Sequence, residues 1–208
     1  MSQVTHGVRA VLSNPKVYDF FQWMMGAKQA RSIVSSGYIK SRSGDYVLDI
    51  GCGTAEIRWI LSNVEYFGID PNPDYIYAAK NRFRTLPGCT FLCATIDEVV
   101  LAALPKFDIV LATSVLHHLS DEEVVRLAKL AKAALKENGR LVTLDPCYVE
   151  GQSPIARFLI SRDRGQHVRD AEGYRTLLSY AFDSIATDVR HDFLRFPYTH
   201  LVMECVSK

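Results

Sequence analysis

The chain has 208 residues, 48% apolar and 23% charged, a balance close to that of an average globular domain and one that argues against disorder, collagen-like repeats and long coiled coil. Lys plus Arg number 24 against 23 for Asp plus Glu, so a net charge of +1 disfavours a protein held on nucleic acid by bulk charge; any polyanion site has to be local. No apolar run approaches the roughly 18 residues of a membrane-spanning helix, and the N-terminus lacks the layout of a secretory signal. The cysteines at 52, 89, 93, 147 and 205 have no CxxC pairing, so the expectation is a soluble, cytoplasmic protein with reduced thiols.

Asn14-Pro15 reads as a helix start, and Val17, Phe20, Phe21, Met24, Ala27 and Ile33 recur at helical spacing to about Ser36. Tyr18, Gln22 and Arg31 are the polar candidates of this leading helix, whose simpler role is packing. Tyr46 to Ile50 is a compact strand ended by Gly51-Cys52-Gly53, and Ile57, Ile60 and Leu61 share a face of a following helix. Tyr66 to Ile69 is a second strand closing on Asp70, followed by a helix over 74–84. Cys89 to Ala94 is a third strand with a short helix over 97–104, and Phe107 to Ala112 a fourth. Ser120-Asp121-Glu122-Glu123 is a capping box opening a helix to Lys136, stopped by Asn138-Gly139 before a fifth strand, Arg140 to Leu144.

Strands alternating with helices predict a parallel sheet with right-handed crossovers. Residues 147–170 break the rhythm and read as a helix-containing insertion over the ligand edge; Ala171 to Ala181 is a helix, and strands over 184–191 and 199–206 form an antiparallel pair. The expected fold is therefore one α/β, Rossmann-like domain over 1–208: a seven-stranded, mostly parallel sheet with an antiparallel C-terminal hairpin and helices on both faces. Its parts are an N-terminal helical segment (1–40), a ligand-binding core (44–146), the insertion (147–170) and a C-terminal helix and hairpin (171–208).

Glycines 51 and 53 let the backbone turn sharply and approach a ligand where a Cβ would intrude. Asp70, at the end of the next strand, offers a carboxylate to both hydroxyls of a ribose, in the crevice beyond the strand ends. Dinucleotides and S-adenosylmethionine are both held by such a geometry. The dinucleotide fingerprint G-x-G-x-x-G requires a third glycine, but Glu56 stands there.

Four segments, VLDIGCGTAEI at 47–57, FGIDPNPDYI at 67–76, FDIVLATSVLHHLSDEE at 107–123 and LKENGRLVTLDP at 135–146, resemble the class I S-adenosylmethionine-dependent methyltransferases of small-molecule type. The resemblance covers about half of the chain. It implies S-adenosylmethionine as cofactor, with Asp49, Gly51, Cys52 and Gly53 around its methionine end, Asp70 on the ribose and Pro71 against the adenine. Ala94, Thr95 and Ile96 would meet the adenine edge, Thr95 standing where the family often has an aspartate. Thr113 and Ser114 would lie beneath the methionine portion.

Methyl transfer chiefly requires alignment of the acceptor, worth roughly 7–11 kcal/mol in near-attack geometry. His117, directly after the fourth strand, is the candidate base, with an ordinary pKa near ~6.5; its alternative is a packing role. His118 and Asp145 are candidates for the acceptor side, against capping or core roles. Cys147 reads as structural, and no zinc spacing appears. Arginines 157, 162, 164, 169 and 175 crowd the insertion and the helix after it. Guanidinium forks suit phosphate or carboxylate, so Arg162, Arg164 and His167 are the expected contacts of an anionic small acceptor, against the alternative of a solvated face. The resulting expectation is a methyltransferase acting on a small acceptor such as a sugar, nucleotide-linked or carboxylate-bearing molecule, with no nucleic acid or membrane partner. A non-catalytic S-adenosylmethionine-binding protein and a nicotinamide-dependent oxidoreductase are the alternatives.

Overall fold

The structure, a computed structural model, describes residues 34–163 and 165–206. The leading helix expected over 15–36, with Tyr18, Gln22 and Arg31, lies outside them but for its last residues. From Ser35 to Ile39 the chain forms a short π-type turn, with Arg140 donating to the Ile39 carbonyl.

The strands are β1 (Tyr46–Ile50), β2 (Glu65–Asp70), β3 (Cys89–Cys93), β4 (Phe107–Thr113), β5 (Leu135–Tyr148), β6 (Arg169–Asp170), β7 (Ser184–Arg190) and β8 (His200–Val206). The α-helices are α1 (Pro73–Arg82), α2 (Glu98–Ala102), α3 (Asp121–Ala134), α4 (Pro154–Ser161) and α5 (Ala171–Ser179). The sheet runs β3-β2-β1-β4-β5-β8-β7, with the short β6 added beside the end of β5. β1 to β5 are mutually parallel; β8 is antiparallel to both β5 and β7, so it enters the sheet between them and leaves β7 as the edge.

Successive side chains of a strand face opposite sides, and here both sides are covered, as parallel sheets require. Leu48, Ile50, Val110, Ala112 and Leu141 face a core formed with α3 and α5. Val47, Ile109, Leu111 and Val142 face the other, with Ile76, Ala79 and Phe83 around α1. Asp49 shares the side of Val47, which brings it to Tyr66 of β2. α3 buries Val124, Leu127, Ala128, Leu130, Ala131 and Ala134, an apolar stripe at helical spacing. Its predicted capping box is present, Ser120 accepting from the Glu123 amide and the Glu123 carboxylate accepting from the Ser120 amide.

One predicted element is replaced. Instead of an α-helix after the glycine turn there is only a 3-10 turn, Glu56–Ile60, entered through Ala55 in the left-handed region. The local reason is that the turn itself uses residues 51–55, with Gly51, Gly53 and Ala55 all at positive φ, and Leu61 is already extended, so only five residues between them stay helical.

Candidate functional site

Parallel strands place their ligand crevice beyond their C-terminal ends, and the sequence-predicted residues fall there. At the end of β1, the Gly51 and Cys52 amides donate to the Ile69 carbonyl, at 2.8 and 3.1 Å. Gly51 has φ +71°, and a Cβ there would stand 2.7 Å from Val115 Cγ2. The turn thus needs glycine twice over, for its backbone and for the space taken by the segment after β4. Asp70 Oδ2 accepts from the Gly53 amide at 3.0 Å and Oδ1 from Asn72 at 2.8 Å. Each carboxylate oxygen has further lone-pair capacity.

Asp49 is buried, takes a short hydrogen bond from the Tyr66 hydroxyl on Oδ2, and has no hydrogen-bond partner on Oδ1. Burial pushes its carboxyl up to about 7, against the Tyr66 hydrogen bond, with repulsion from Asp70 adding to the rise. Cys52 is buried beside it and its thiol is pushed up, chiefly by burial. Pro71 is exposed, Ala94 is half-buried with its amide on the Asp70 carbonyl at 3.2 Å, Thr95 is exposed and Ile96 buried. Ser114 is exposed with φ 59°, its amide on the Leu144 carbonyl, and Thr113 is half-buried.

Beyond β4 and β5 the groups are charged. His117, 3% exposed, has its Nδ1 2.8 Å from Asp145 Oδ1, which also accepts the His117 amide at 3.2 Å. On the ring's other side, Nε2 lies 3.2 Å from Asp163 Oδ1. Asp163 further accepts from the Gly165 amide at 2.9 Å and the Tyr198 hydroxyl at 2.9 Å. Desolvation favours the neutral ring, but the two carboxylates outweigh it and lift His117 to about 9. Asp163 is held well below the usual carboxylate range, against its desolvation, by its bond to His117. Burial pushes Asp145 up against the same partner. His118 is buried, its ring 4.1 Å from that of His117. His200 lies in the same field, lowered to about 4 chiefly by burial.

The expected anion cluster does not assemble among the described residues. Arg157 lies over Tyr148 and Arg162 over Phe158. Arg169 is spent on Asp121 and on the carbonyls of Leu116, Leu119 and His167; exposed Arg175 pairs with Glu172. Arg164 lies outside the described residues. His167 reaches the site through its backbone, donating to the His117 carbonyl at 3.0 Å. The reason is local: the insertion and α5 carry their own carboxylates, rings and carbonyls, which take up each guanidinium separately.

Asp163, Tyr198, His200 and Tyr66 were not singled out from the sequence. Asp163 followed two residues later by Gly165 is the pattern of an Asx turn, a signal that marks the turn but not its histidine partner.

Residues 48–141 match the family described as a methyltransferase domain. A ubiquinone biosynthesis O-methyltransferase of Bradyrhizobium diazoefficiens is 36% identical over 99 residues, covering 46% of this chain and 38% of that protein. An uncharacterized methyltransferase of Anoxybacillus flavithermus is 23% identical over 133 residues, covering 61% and 59%. The chain thus spans less than two thirds of the length of either relative. Among solved structures, the pyocyanin biosynthetic protein PhzM superposes with a TM-score of 0.72 at 16% identity over 95% of this chain and 62% of that one. The YcgJ protein from Bacillus subtilis superposes with a TM-score of 0.64 at 15% identity over 88% and 99%. Among the described residues no helix is long and apolar enough to cross a membrane, and no group of three or more His, Cys, Asp or Glu is placed to hold a metal.

Proposed function

We propose that this chain, whose core is a class I S-adenosylmethionine-dependent methyltransferase domain, transfers a methyl group to a hydroxyl of a small acceptor. The observation that carries this reading is the β1 turn, where a glycine that admits no Cβ, a buried carboxylate oxygen without a partner and the Asp70 carboxylate meet at one strand end. These residues fit the cofactor. Asp49, ionised, would offer Oδ1 to positive charge at the methionine end, and that charge would bring its raised pKa down. Asp70 retains acceptor capacity for ribose hydroxyls, and Ile96 with Ala94 offers an apolar border for an adenine.

When bound, S-adenosylmethionine supplies the electrophilic methyl and its leaving group. The protein then has to align the acceptor and take its proton. His117 is the group we assign to that proton: Asp145 fixes its ring through Nδ1, which leaves Nε2 toward the insertion. The choice of a hydroxyl follows the named O-methyltransferase relative of Bradyrhizobium diazoefficiens. If the acceptor carries an anionic group, Arg162 at the end of α4 is its candidate partner among the described arginines.

Calorimetric titration with S-adenosylmethionine and with NAD tests the cofactor; binding of NAD alone would overturn the proposal. Methyl transfer to catechols, sugars and nucleotide-linked sugars, assayed with wild type and His117→Ala, tests the chemistry. The expected result is turnover lost in the variant while cofactor affinity stays within about twofold. Cofactor binding with no turnover on any acceptor would support the non-catalytic alternative. An unchanged acceptor KM in Arg162→Ala would remove the anionic-acceptor reading.

A further inference from the structure

His117 has a carboxylate oxygen at each ring nitrogen. Asp145 Oδ1 already accepts the His117 backbone amide, and Asp163 Oδ1 already accepts the Gly165 amide. Ionised, both oxygens are acceptors only, and two such acceptors favour the ring form with hydrogen on both nitrogens, the imidazolium. A ring in that state has no lone pair for an acceptor's proton. The assignment of His117 as a base and the arrangement around it are thus in conflict for as long as Asp163 stays at Nε2.

Asp163 is not an incidental neighbour. Its Oδ2 is tied to the Tyr198 hydroxyl from the segment before β8, and its Oδ1 to the amide of Gly165. Gly165 itself lies against the imidazole so closely that a Cβ would fall 1.9 Å from His117 Cδ2 and 2.7 Å from the His117 carbonyl oxygen. Only a residue without a side chain lets the backbone approach that far. Three separate features therefore hold one carboxylate on one nitrogen.

We propose that Asp163 is a positioning residue that decides whether His117 donates or accepts a proton at Nε2. While Asp163 is engaged, His117 is a donor. When an acceptor hydroxyl takes the place of the Asp163 carboxylate, the Nε2 proton leaves to solvent, and the freed lone pair would take the hydroxyl proton as the carbon–oxygen bond forms and the sulfonium carbon–sulfur bond breaks, releasing a neutral thioether. This rests on the reading of His117 as the proton acceptor. The other groups around the ring are Asp145 from β5, which remains in both states; His118, tilted against it; and His200 from β8, while Arg169 bonds the carbonyl of the preceding Leu116. The Asp163 side chain keeps 30% of its surface exposed against none for Asp145, so Asp163 is the partner that an incoming acceptor can replace.

The test is the titration of His117 followed by NMR in the full-length chain with 15N-labelled histidine, its signal assigned by its disappearance in His117→Asn. In wild type the midpoint should lie near 9. In Asp163→Asn it should fall by about one pH unit or more, the usual size of the effect of an adjacent opposite charge, while Asp163→Glu, which keeps the charge, retains most of the elevation. Gly165→Ala keeps the carboxylate but blocks the close approach, and should lower the midpoint in the same direction; it serves if Asp163→Asn does not fold. Equal midpoints in wild type and in whichever of these two variants fold would overturn the proposal. In the methyl-transfer assay the same variants should move the rising limb of the pH–rate profile to lower pH, which a merely structural role would not do. No turnover in wild type would defeat the methyltransferase reading while leaving the NMR result to judge Asp163; unchanged titration with normal turnover would defeat Asp163 alone.

Discussion

Around Gly51 and Gly53 stands a tight backbone turn with Asp49 and Asp70 beside it, all within two adjacent strand ends; around His117 stands a polar cluster of Asp145, Asp163 and, bonded to Asp163, the Tyr198 hydroxyl. The first region depends on shape. It fails when a side chain is added, because the space is already taken by Val115. The second depends on charge. It weakens when a buried partner is removed, because a buried ion left alone costs more than the pair gains. Variants of the first should therefore alter ligand affinity, and variants of the second should alter folding and pH dependence.

The largest expected effect is on the second region. Asp145→Asn removes one side of a buried ion pair and should cost about 3–5 kcal/mol of unfolding free energy, as breaking such pairs does; urea unfolding measures it, and a loss below about 1 kcal/mol would show that this region is not held by charge. Next, Arg169→Ala strips a guanidinium from three carbonyls and Asp121, and should cost about 2 kcal/mol at charge-assisted hydrogen-bond values, read from the same unfolding curves.

The pH dependence sharpens the contrast. His117 is raised from 6.5 to about 9 in the folded protein, so its contribution is fully present below pH 6.5 and is lost as pH rises through 9. Asp163 is depressed below its ordinary value of 3.8, so its contribution is present above that value and is lost on acidification. The stability difference between wild type and His117→Asn should accordingly shrink between pH 6.5 and 9.

In the first region, Gly51→Ala forces a Cβ residue to φ +71°, a strain of about 1–2 kcal/mol. Calorimetry should show S-adenosylmethionine affinity reduced about tenfold, since 1.4 kcal/mol is tenfold. Equal affinity in variant and wild type would break the claim that the turn's shape makes the site. The smallest effect is expected for exposed Arg175→Ala, no more than about 0.5 kcal/mol.

The first region was largely legible in the sequence because its parts are contiguous: strand, glycines and strand-end carboxylate follow one another from Val47 to Asp70. β1 to β5 were legible for the same reason, each being an apolar run bounded by turn residues. The helix expected after Gly53 is a 3-10 turn because periodicity in Ile57, Ile60 and Leu61 says nothing of the left-handed Ala55 and extended Leu61 that bound it. The second region was legible only in His117, His118 and Asp145. Asp163 and Tyr198 are 46 and 81 positions from His117 along the chain, and no local pattern encodes a contact that exists only after β8 enters between β5 and β7. For the arginines, proximity in sequence suggested a shared target, whereas Arg157, Arg162, Arg169 and Arg175 each have a separate neighbour in the fold.

The strand order also sets a sequence of assembly. β7 leaves the ribosome before β8, yet among the described residues β8 is its sole neighbour in the sheet, so β7 waits for residues 200–206 to pair. β1 to β4 form no ladder with that segment, and β5 lacks only its antiparallel neighbour until it arrives. During synthesis, the glycine turn and Asp70 can therefore take shape while the Tyr198 end of the ion cluster is still missing. The hydrogen bond from Tyr198 to Asp163 is thus among the last contacts of the His117 cluster to close.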